Sequence, residues 1–164
     1  MDVSLLDEGR EQARAIAREL KRLNVHPALI LTGTLMRTNE TAEIVSRSLG
    51  GIPIEIDRVF DERRLGEWNG RSISDTEPLI AAKLTPPGGE SEAEFSARVR
   101  RALERVVLLI DRPILVVSSK GVGRILHNLT GGEGRLAMGN GEVVRFSVPQ
   151  LRPHARPQPA LEPR

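Results

Sequence analysis

"ILVVSSKGVGRIL", residues 114–126, joins two apolar runs through a polar turn of two serines, a lysine and a glycine. The first run predicts a buried strand, and the apolar pattern after the turn predicts a helix. Ser118, Ser119 and Lys120 would then lie beside the free N–H groups of a helix N-terminus, a combination that suits an anion. The spacing of glycine and lysine is not that of a Walker motif. The alternative is an ordinary strand–turn–helix connection with solvated serines and a solvated lysine.

Helical and strand patterns alternate along most of the chain. The predicted helices cover 7–23, 35–49, a short stretch near 75–83, a segment from Ser91 to Ile110, and 121–129. The predicted strands cover 28–32, 52–56, 113–118 and 142–148. Ser91 and Glu94 form a capping-box pattern at the start of the fourth helix. Pro53 cannot donate to a ladder, so we expect 52–56 to be an edge strand.

Apolar strands alternating with helices predict a three-layer α/β/α fold, with helices on both faces of a mainly parallel sheet. Ligands of such sheets bind beyond the carboxyl ends of the strands. The turn within "LILTGTLMRTNET", 29–41, also follows a strand, so we expect it at the same edge as the turn at 118–120. Residues 1–148 are predicted to form a single domain, and the proline-rich residues 149–164 a disordered tail.

The composition argues against several classes of function. The chain has no cysteine, and its three histidines do not show metal-ligand spacing, so we expect no metal site and no cofactor. Aromatic residues make up only 2%, which argues against nucleic acid as a partner. No apolar run approaches the ~20 residues that span a bilayer, and the N-terminus lacks the regions of a signal peptide. We therefore expect no membrane partner and a cytoplasmic location.

Two charged residues outside the turn at 118–120 are also candidates for a functional site. Arg37 falls in the first turn of its predicted helix, where a cation opposes the helix dipole, so it is a candidate for binding an anion. Glu62, in "FDERRLGEWNG" (60–70), could act as a general acid if its loop folds over the binding edge. The alternative for Arg37 is an ordinary surface arginine. The alternative for Glu62 is a salt bridge to a neighbouring arginine.

Five segments, taken in order, resemble motifs of the histidine phosphatase superfamily, whose fold is phosphoglycerate-mutase-like. The segments are "LLDEGREQARAIAREL" (5–20), "LTGTLMRTNETAEIV" (31–45), "ERRLGEWNG" (62–70), "PPGGESEAEFSARV" (86–99) and "LVVSSKGVGRIL" (115–126). The resemblance implies transfer of a phosphoryl group through a phosphohistidine. It also implies that Arg37 is a phosphate-binding residue and that Glu62 stands at the position of the proton donor.

The sequence departs from the family at positions that matter for catalysis. It has no counterpart of the first strand with its Arg-His-Gly motif, and Ser119 stands where the family has its second histidine, followed by Lys120. Loss of a covalent nucleophile removes several powers of ten in rate. We therefore expect a catalytically impaired protein that retains phosphate or phosphomonoester binding through Arg37, Ser118, Ser119 and Lys120.

Two other interpretations stay open. The first is an active phosphomonoester hydrolase that uses other residues or an N-terminus outside this sequence. The second is a structural or partner-binding module. Because the family's first strand lies inside the sheet, a chain without it would expose an unpaired strand edge. We expect repacking, another chain segment or a second copy of the chain to cover that edge, the last of these as a homodimer.

Overall fold

The computed structural model of the protein describes residues 3–107, 112–134 and 136–147. Helices and strands alternate over most of this range, as the sequence predicts. The helices are α1 (Asp7–Arg22), α2 (Met36–Ser48), α3 (Ile73–Ala81), α4 (Glu92–Val107) and α5 (Lys120–Leu129). The strands are β1 (Leu29–Thr32), β2 (Ile54–Ile56) and β3 (Ile114–Val117). Single 3₁₀ turns at Arg58–Phe60 and Gly66–Trp68 lie in the loop between β2 and α3.

The three strands of the described residues form one parallel sheet in the order β2–β1–β3. Strand β2 lies at an edge, as predicted from Pro53. Alternate residues of β1 point to opposite faces of the sheet. Leu31 packs into a cluster with residues of α4 and α5, and Ile30 packs into a second cluster with residues of α1 and α2. The protein therefore has the three-layer α/β/α arrangement.

The capping box of α4 is formed as the sequence predicts. The Ser91 N–H donates to Glu94 Oε2 at 2.8 Å, and the Glu94 N–H donates to Ser91 Oγ at 3.1 Å. The apolar face of α4 buries Phe95, Val99 and Ala102. Ile110, the last residue expected on that face, lies outside the described residues. The cap thus fixes where α4 begins, directly after the segment that holds Glu90.

The predicted final strand is wrong over residues 142–147, which form no strand. Val143 packs against the α1–α2 cluster and Phe146 against the α4–α5 cluster, so this segment reaches both sides of the sheet. Val143, Val144 and Phe146 are half-buried, and this mixture of apolar and polar residues produced the strand-like pattern in the sequence. Among the described residues, however, the segment hydrogen-bonds to none of the three strands of the sheet. Residue 148 and the predicted disordered tail, 149–164, lie outside the described residues.

Strand β3 hydrogen-bonds to β1, and within the described part of the chain its other edge pairs with no strand. A homodimer that covers this edge stays a prediction. Over the same residues, none of the helices combines the length and apolar character needed to cross a bilayer.

Candidate functional site

Two polar turns leave the sheet at the same edge. The register pairs Thr32 with Val117, so β1 and β3 end side by side. The turn after β1 leads into α2, and the turn after β3 leads into α5. Arg37 and Lys120 therefore lie in the first turns of two helices that start from neighbouring strands. This is the shared edge expected from the sequence.

Arg37 and Lys120 are both exposed. Within the described residues, neither side chain has an ion pair or a hydrogen-bond partner, whereas all four arginines of α1 pair with carboxylates of their own helix. The N-terminal N–H groups of α5 lie next to Lys120. This part of the edge therefore carries two cations that have no ion-pair partner among the described residues.

The two serines of the turn after β3 both make local hydrogen bonds. Ser118 Oγ donates to the Phe60 carbonyl at 2.5 Å, which ties the turn to the loop that follows β2. Ser119 is the N-cap of α5, and its Oγ accepts from the Val122 N–H at 3.4 Å. A hydroxyl that accepts one hydrogen bond can still donate its own proton. Ser119 therefore keeps a donor for a ligand, while Ser118 mainly positions the turn.

The loop that follows β2 folds over both turns. Asp61 accepts from the Thr34 N–H at 2.5 Å and from Thr34 Oγ1 at 2.9 Å, so it fixes the turn after β1. The carboxylate of Glu62 packs so closely on Gly121 that a Cβ at this position would overlap it. A glycine in the first turn of α5 is therefore what allows Glu62 to reach the start of that helix.

Glu62 is half-buried, and its Oε1 accepts from the Arg63 N–H at 2.8 Å. Within the described residues Glu62 forms no ion pair, so the salt bridge considered as an alternative is not present there. The carboxylate lies next to the start of α5, against Gly121, the residue that follows Lys120. The role of Glu62 as a proton donor stays a prediction.

A buried ion pair holds the loop in place. Glu90 is only 2% exposed, and its two carboxylate oxygens accept from Arg98 Nε and a terminal nitrogen of Arg98 at 2.8 and 2.7 Å. The hydrogen bonds from Arg98 are the largest influence on the pKa of Glu90 and lower it. Arg98 also donates to the carbonyls of Val59 and Asp61 at 2.8 and 3.1 Å. Arg98 thus connects α4 to the loop that carries Asp61 and Glu62.

The positioning roles of Asp61, Glu90 and Arg98 were not predicted. Nothing in the local sequence pairs Asp61 with Thr34, 27 residues away. Arg98 did carry a signal, because it lies three residues after Phe95, at the border of the apolar face of α4. A charged residue at such a place indicates a buried partner. The sequence does not identify Glu90 as that partner.

The described histidines lie far from this edge. His26 precedes β1, and its ring contacts Asn24 Oδ1 at 2.9 Å. His127 lies seven residues after Lys120, about 10 Å further along α5, and its Nε2 is 3.3 Å from the Glu133 carbonyl. His154 lies outside the described residues. Among the residues that the structure describes, no group of three His, Cys, Asp or Glu side chains could hold a metal ion.

The fold and the edge define an α/β protein with a candidate anion site at the carboxyl ends of parallel strands. The chain belongs to the histidine phosphatase superfamily (branch 1), whose sequence profile matches residues 1–156. This agrees with the resemblance seen in the five sequence motifs.

Individual relatives include enzymes named for phosphoryl chemistry. A glucosyl-3-phosphoglycerate phosphatase of Mycolicibacterium vanbaalenii is 29% identical over 74% of this chain and 60% of its own length. Phosphoglycerate mutase-like protein 4 of Arabidopsis thaliana is 30% identical over 77% of this chain and 60% of its own length. The chain thus spans about 60% of the length of these two relatives.

A solved structure shares the fold. The mycobacterial glucosyl-3-phosphoglycerate phosphatase in complex with inorganic phosphate superposes with a TM-score of 0.68 at 27% identity. The match covers 79% of this chain and 70% of that structure.

Proposed function

We propose that this chain binds phosphate or a small phosphomonoester at the carboxyl edge of its sheet and turns it over inefficiently. The observation that carries the proposal is the pair Arg37 and Lys120, which start neighbouring helices at one edge without an internal counter-ion on either side chain among the described residues. Ser119 and the N-terminal N–H groups of α5 add hydrogen-bond donors for phosphoryl oxygens. The phosphate complex of a structural relative is consistent with this ligand class.

The proposed impairment rests on the lack of an activated nucleophile at this edge among the described residues. Ser119 is the hydroxyl nearest to Lys120 in sequence, but it caps α5. A serine attacks efficiently only when a neighbouring base takes its proton, and the described histidines lie away from this edge. Glu62 could protonate a leaving oxygen, yet a proton donor alone does not replace a nucleophile.

An active phosphomonoester hydrolase is the second candidate. The observation that favours it is the Glu62 carboxylate beside Gly121, which is the place that protonation of a leaving group requires. The names of the relatives point the same way. The two candidates share the binding site and differ only in turnover, so a single set of variants separates them.

The test measures two quantities on the same samples: calorimetric binding of inorganic phosphate and phosphate release from a panel of phosphomonoesters. Arg37→Ala removes a charged hydrogen-bond donor, so we expect it to weaken phosphate binding about tenfold or more. Arg47→Ala is the matched control, because Arg47 is also an exposed arginine of α2 and lies about 15 Å further along the helix. We expect this control to bind phosphate as the unmodified chain does.

The outcomes separate the candidates. Binding that Arg37→Ala weakens, with no phosphate release above that variant, supports binding without efficient turnover. Release that Arg37→Ala abolishes and Arg47→Ala retains replaces this proposal with the hydrolase. Absence of phosphate binding in the unmodified chain contradicts both and leaves a structural module.

Two further predictions concern the environment of the chain. A homodimer across the edge of β3 that pairs with no described strand predicts a mass that doubles with concentration in sedimentation equilibrium. The expected cytoplasmic location predicts recovery of the native protein in the cytoplasmic fraction of its cells.

A further inference from the structure

A cavity of about 740 Å³ lies beside the candidate phosphate site. One wall comes from α5 and contains Lys120, Gly121 and Arg124. The opposite wall comes from the segment after α5 and includes Leu136, Ala137 and Met138. Lys120 belongs to both the cavity and the candidate phosphate site, so a ligand anchored at Lys120 would extend into this space. The volume falls in the range of small-molecule sites.

Of the two cations in the cavity wall, one is already paired with a carboxylate. A terminal nitrogen of Arg124 lies 2.6 Å from Glu92 Oε1. The carboxylate of Glu142 accepts from the Gly139 N–H at 2.6 Å, which holds it on its own segment but leaves its negative charge. Lys120 is therefore the cation in this wall that is left without a counter-ion among the described residues. A second acidic group of a ligand would have to compete with Glu92 for Arg124.

The remaining surface is apolar and adaptable. Leu136 and Met138 are half-buried, and Ala137 is exposed. The Met138 methyl packs against α5, where a Cβ on Gly123 would lie 2.6 Å from it. A thioether side chain adapts its shape to an apolar ligand and contacts aromatic rings favourably. This wall therefore favours a ring or a hydrocarbon chain over a polyol.

We propose that the cavity binds the organic part of a phosphomonoester and that this part is apolar, as in an aryl or alkyl phosphate. The proposal rests on the proposed function, because the phosphoryl group would be held at Arg37 and Lys120. The apolar part lies against Met138 and Leu136. The site thus discriminates among phosphomonoesters by the hydrophobicity of the group that carries the phosphate.

The test compares three probes by calorimetry on the full chain: inorganic phosphate, glycerol 1-phosphate and phenyl phosphate. Burial of part of a phenyl ring predicts that phenyl phosphate binds about tenfold more tightly than glycerol 1-phosphate. Met138→Gln keeps the length of the side chain but makes it polar, so we expect it to reduce this preference to less than about threefold. We expect the same variant to leave phosphate affinity unchanged.

Two controls separate the cavity from the phosphate site. Ile73→Gln replaces an exposed apolar residue of α3 and should change none of the three affinities. Arg37→Ala should weaken all three probes by the same factor, because it acts on the phosphoryl group alone.

A second readout follows the methyl group of Met138 directly. The chain has three methionines, so methyl-¹³C labelling gives few signals, and loss of one signal in Met138→Gln assigns it. We expect phenyl phosphate, and not glycerol 1-phosphate, to shift that signal.

Phosphate binding without a preference for phenyl phosphate, or with an unmoved Met138 signal, would overturn the cavity proposal and leave the proposed function standing. Failure of both inorganic phosphate and glycerol 1-phosphate to bind would instead overturn the proposed function. A Met138 signal shifted by phenyl phosphate would in that case report a purely apolar site.

Discussion

Replacing Arg98 by methionine keeps most of the length of the side chain and removes its charge. The change leaves Glu90, which is 2% exposed, without the two hydrogen bonds of 2.7 and 2.8 Å that hold its carboxylate. The guanidinium of Arg64, 3.7 Å away and itself exposed, is a weak substitute. The carbonyls of Val59 and Asp61 lose a donor as well. The variant therefore disrupts the support of the loop over the candidate site.

The size of the effect follows from the burial of Glu90. Removing one partner of a buried ion pair costs about 3–5 kcal/mol, because the remaining charge is buried without compensation. We expect Arg98→Met to lower the free energy of unfolding by this amount at pH 7. Adding Glu90→Gln removes the stranded charge, so the double variant should be more stable than Arg98→Met alone. Arg100→Met, at an exposed position of the same helix, should change stability by less than about 0.5 kcal/mol.

The dependence on pH has a defined sign. Arg98 lowers the pKa of Glu90 in the folded protein. A carboxylate with a lowered pKa contributes stability that is fully present above its unfolded-state pKa, about 4.3, and that is lost as the pH falls through the folded-state value. In Arg98→Met this contribution is absent. The difference in the free energy of unfolding between the variant and the unmodified chain should therefore be large at pH 7 and shrink in acid.

Urea denaturation followed by circular dichroism at pH 7 and at acidic pH measures these differences. Three results would each refute the reasoning. The first is that Arg98→Met lowers the free energy of unfolding by less than about 1 kcal/mol at pH 7. The second is that this decrease does not shrink in acid. The third is that the double variant is no more stable than Arg98→Met.

Three smaller predictions test the loop and the edge of the sheet. Gly66 has φ +48°, and a Cβ there would overlap the Pro87 carbonyl. In urea denaturation, Gly66→Ala should therefore lower the free energy of unfolding by about 2–4 kcal/mol. A decrease of less than about 1 kcal/mol would contradict this packing. Asp61→Ala removes two hydrogen bonds to Thr34 and should cost about 1–2 kcal/mol; an unchanged urea midpoint would show that these bonds do not hold the turn. Glu62→Gln removes a negative charge beside the site, so calorimetry should show phosphate binding tightened several-fold, and weaker binding would mean that Glu62 contacts the ligand favourably.

Much of the fold follows from local patterns in the sequence. Over the described residues, the five predicted helices and three of the four predicted strands form close to their expected bounds, because apolar periodicity and buried runs report directly on burial. The capping box at Ser91 also follows from local spacing. The final strand at 142–148 was wrong over its described residues, because Val143 and Phe146 pack half-buried on opposite sides without a ladder. Burial alone does not form a strand, since a strand also needs a hydrogen-bonding partner.

The candidate site could be predicted only in part. The turn chemistry at Ser119 and Lys120 and the position of Arg37 follow from the order of strands and helices. The contact between Glu62 and Gly121 depends on how a long loop folds back, and this in turn depends on Arg98 reaching carbonyls some 37–40 residues away. Such long-range hydrogen bonds leave no periodic trace in the sequence. They became visible only with the positions of the side chains.

The measurement that tests the account most directly is calorimetric titration of inorganic phosphate into the unmodified chain and into the Arg37→Ala/Lys120→Ala double variant. The account predicts one phosphate per chain, with binding lost in the double variant and the urea midpoint unchanged, because both side chains are exposed. Phosphate binding that survives in the double variant would contradict the account, because the anion would then be held elsewhere on the molecule.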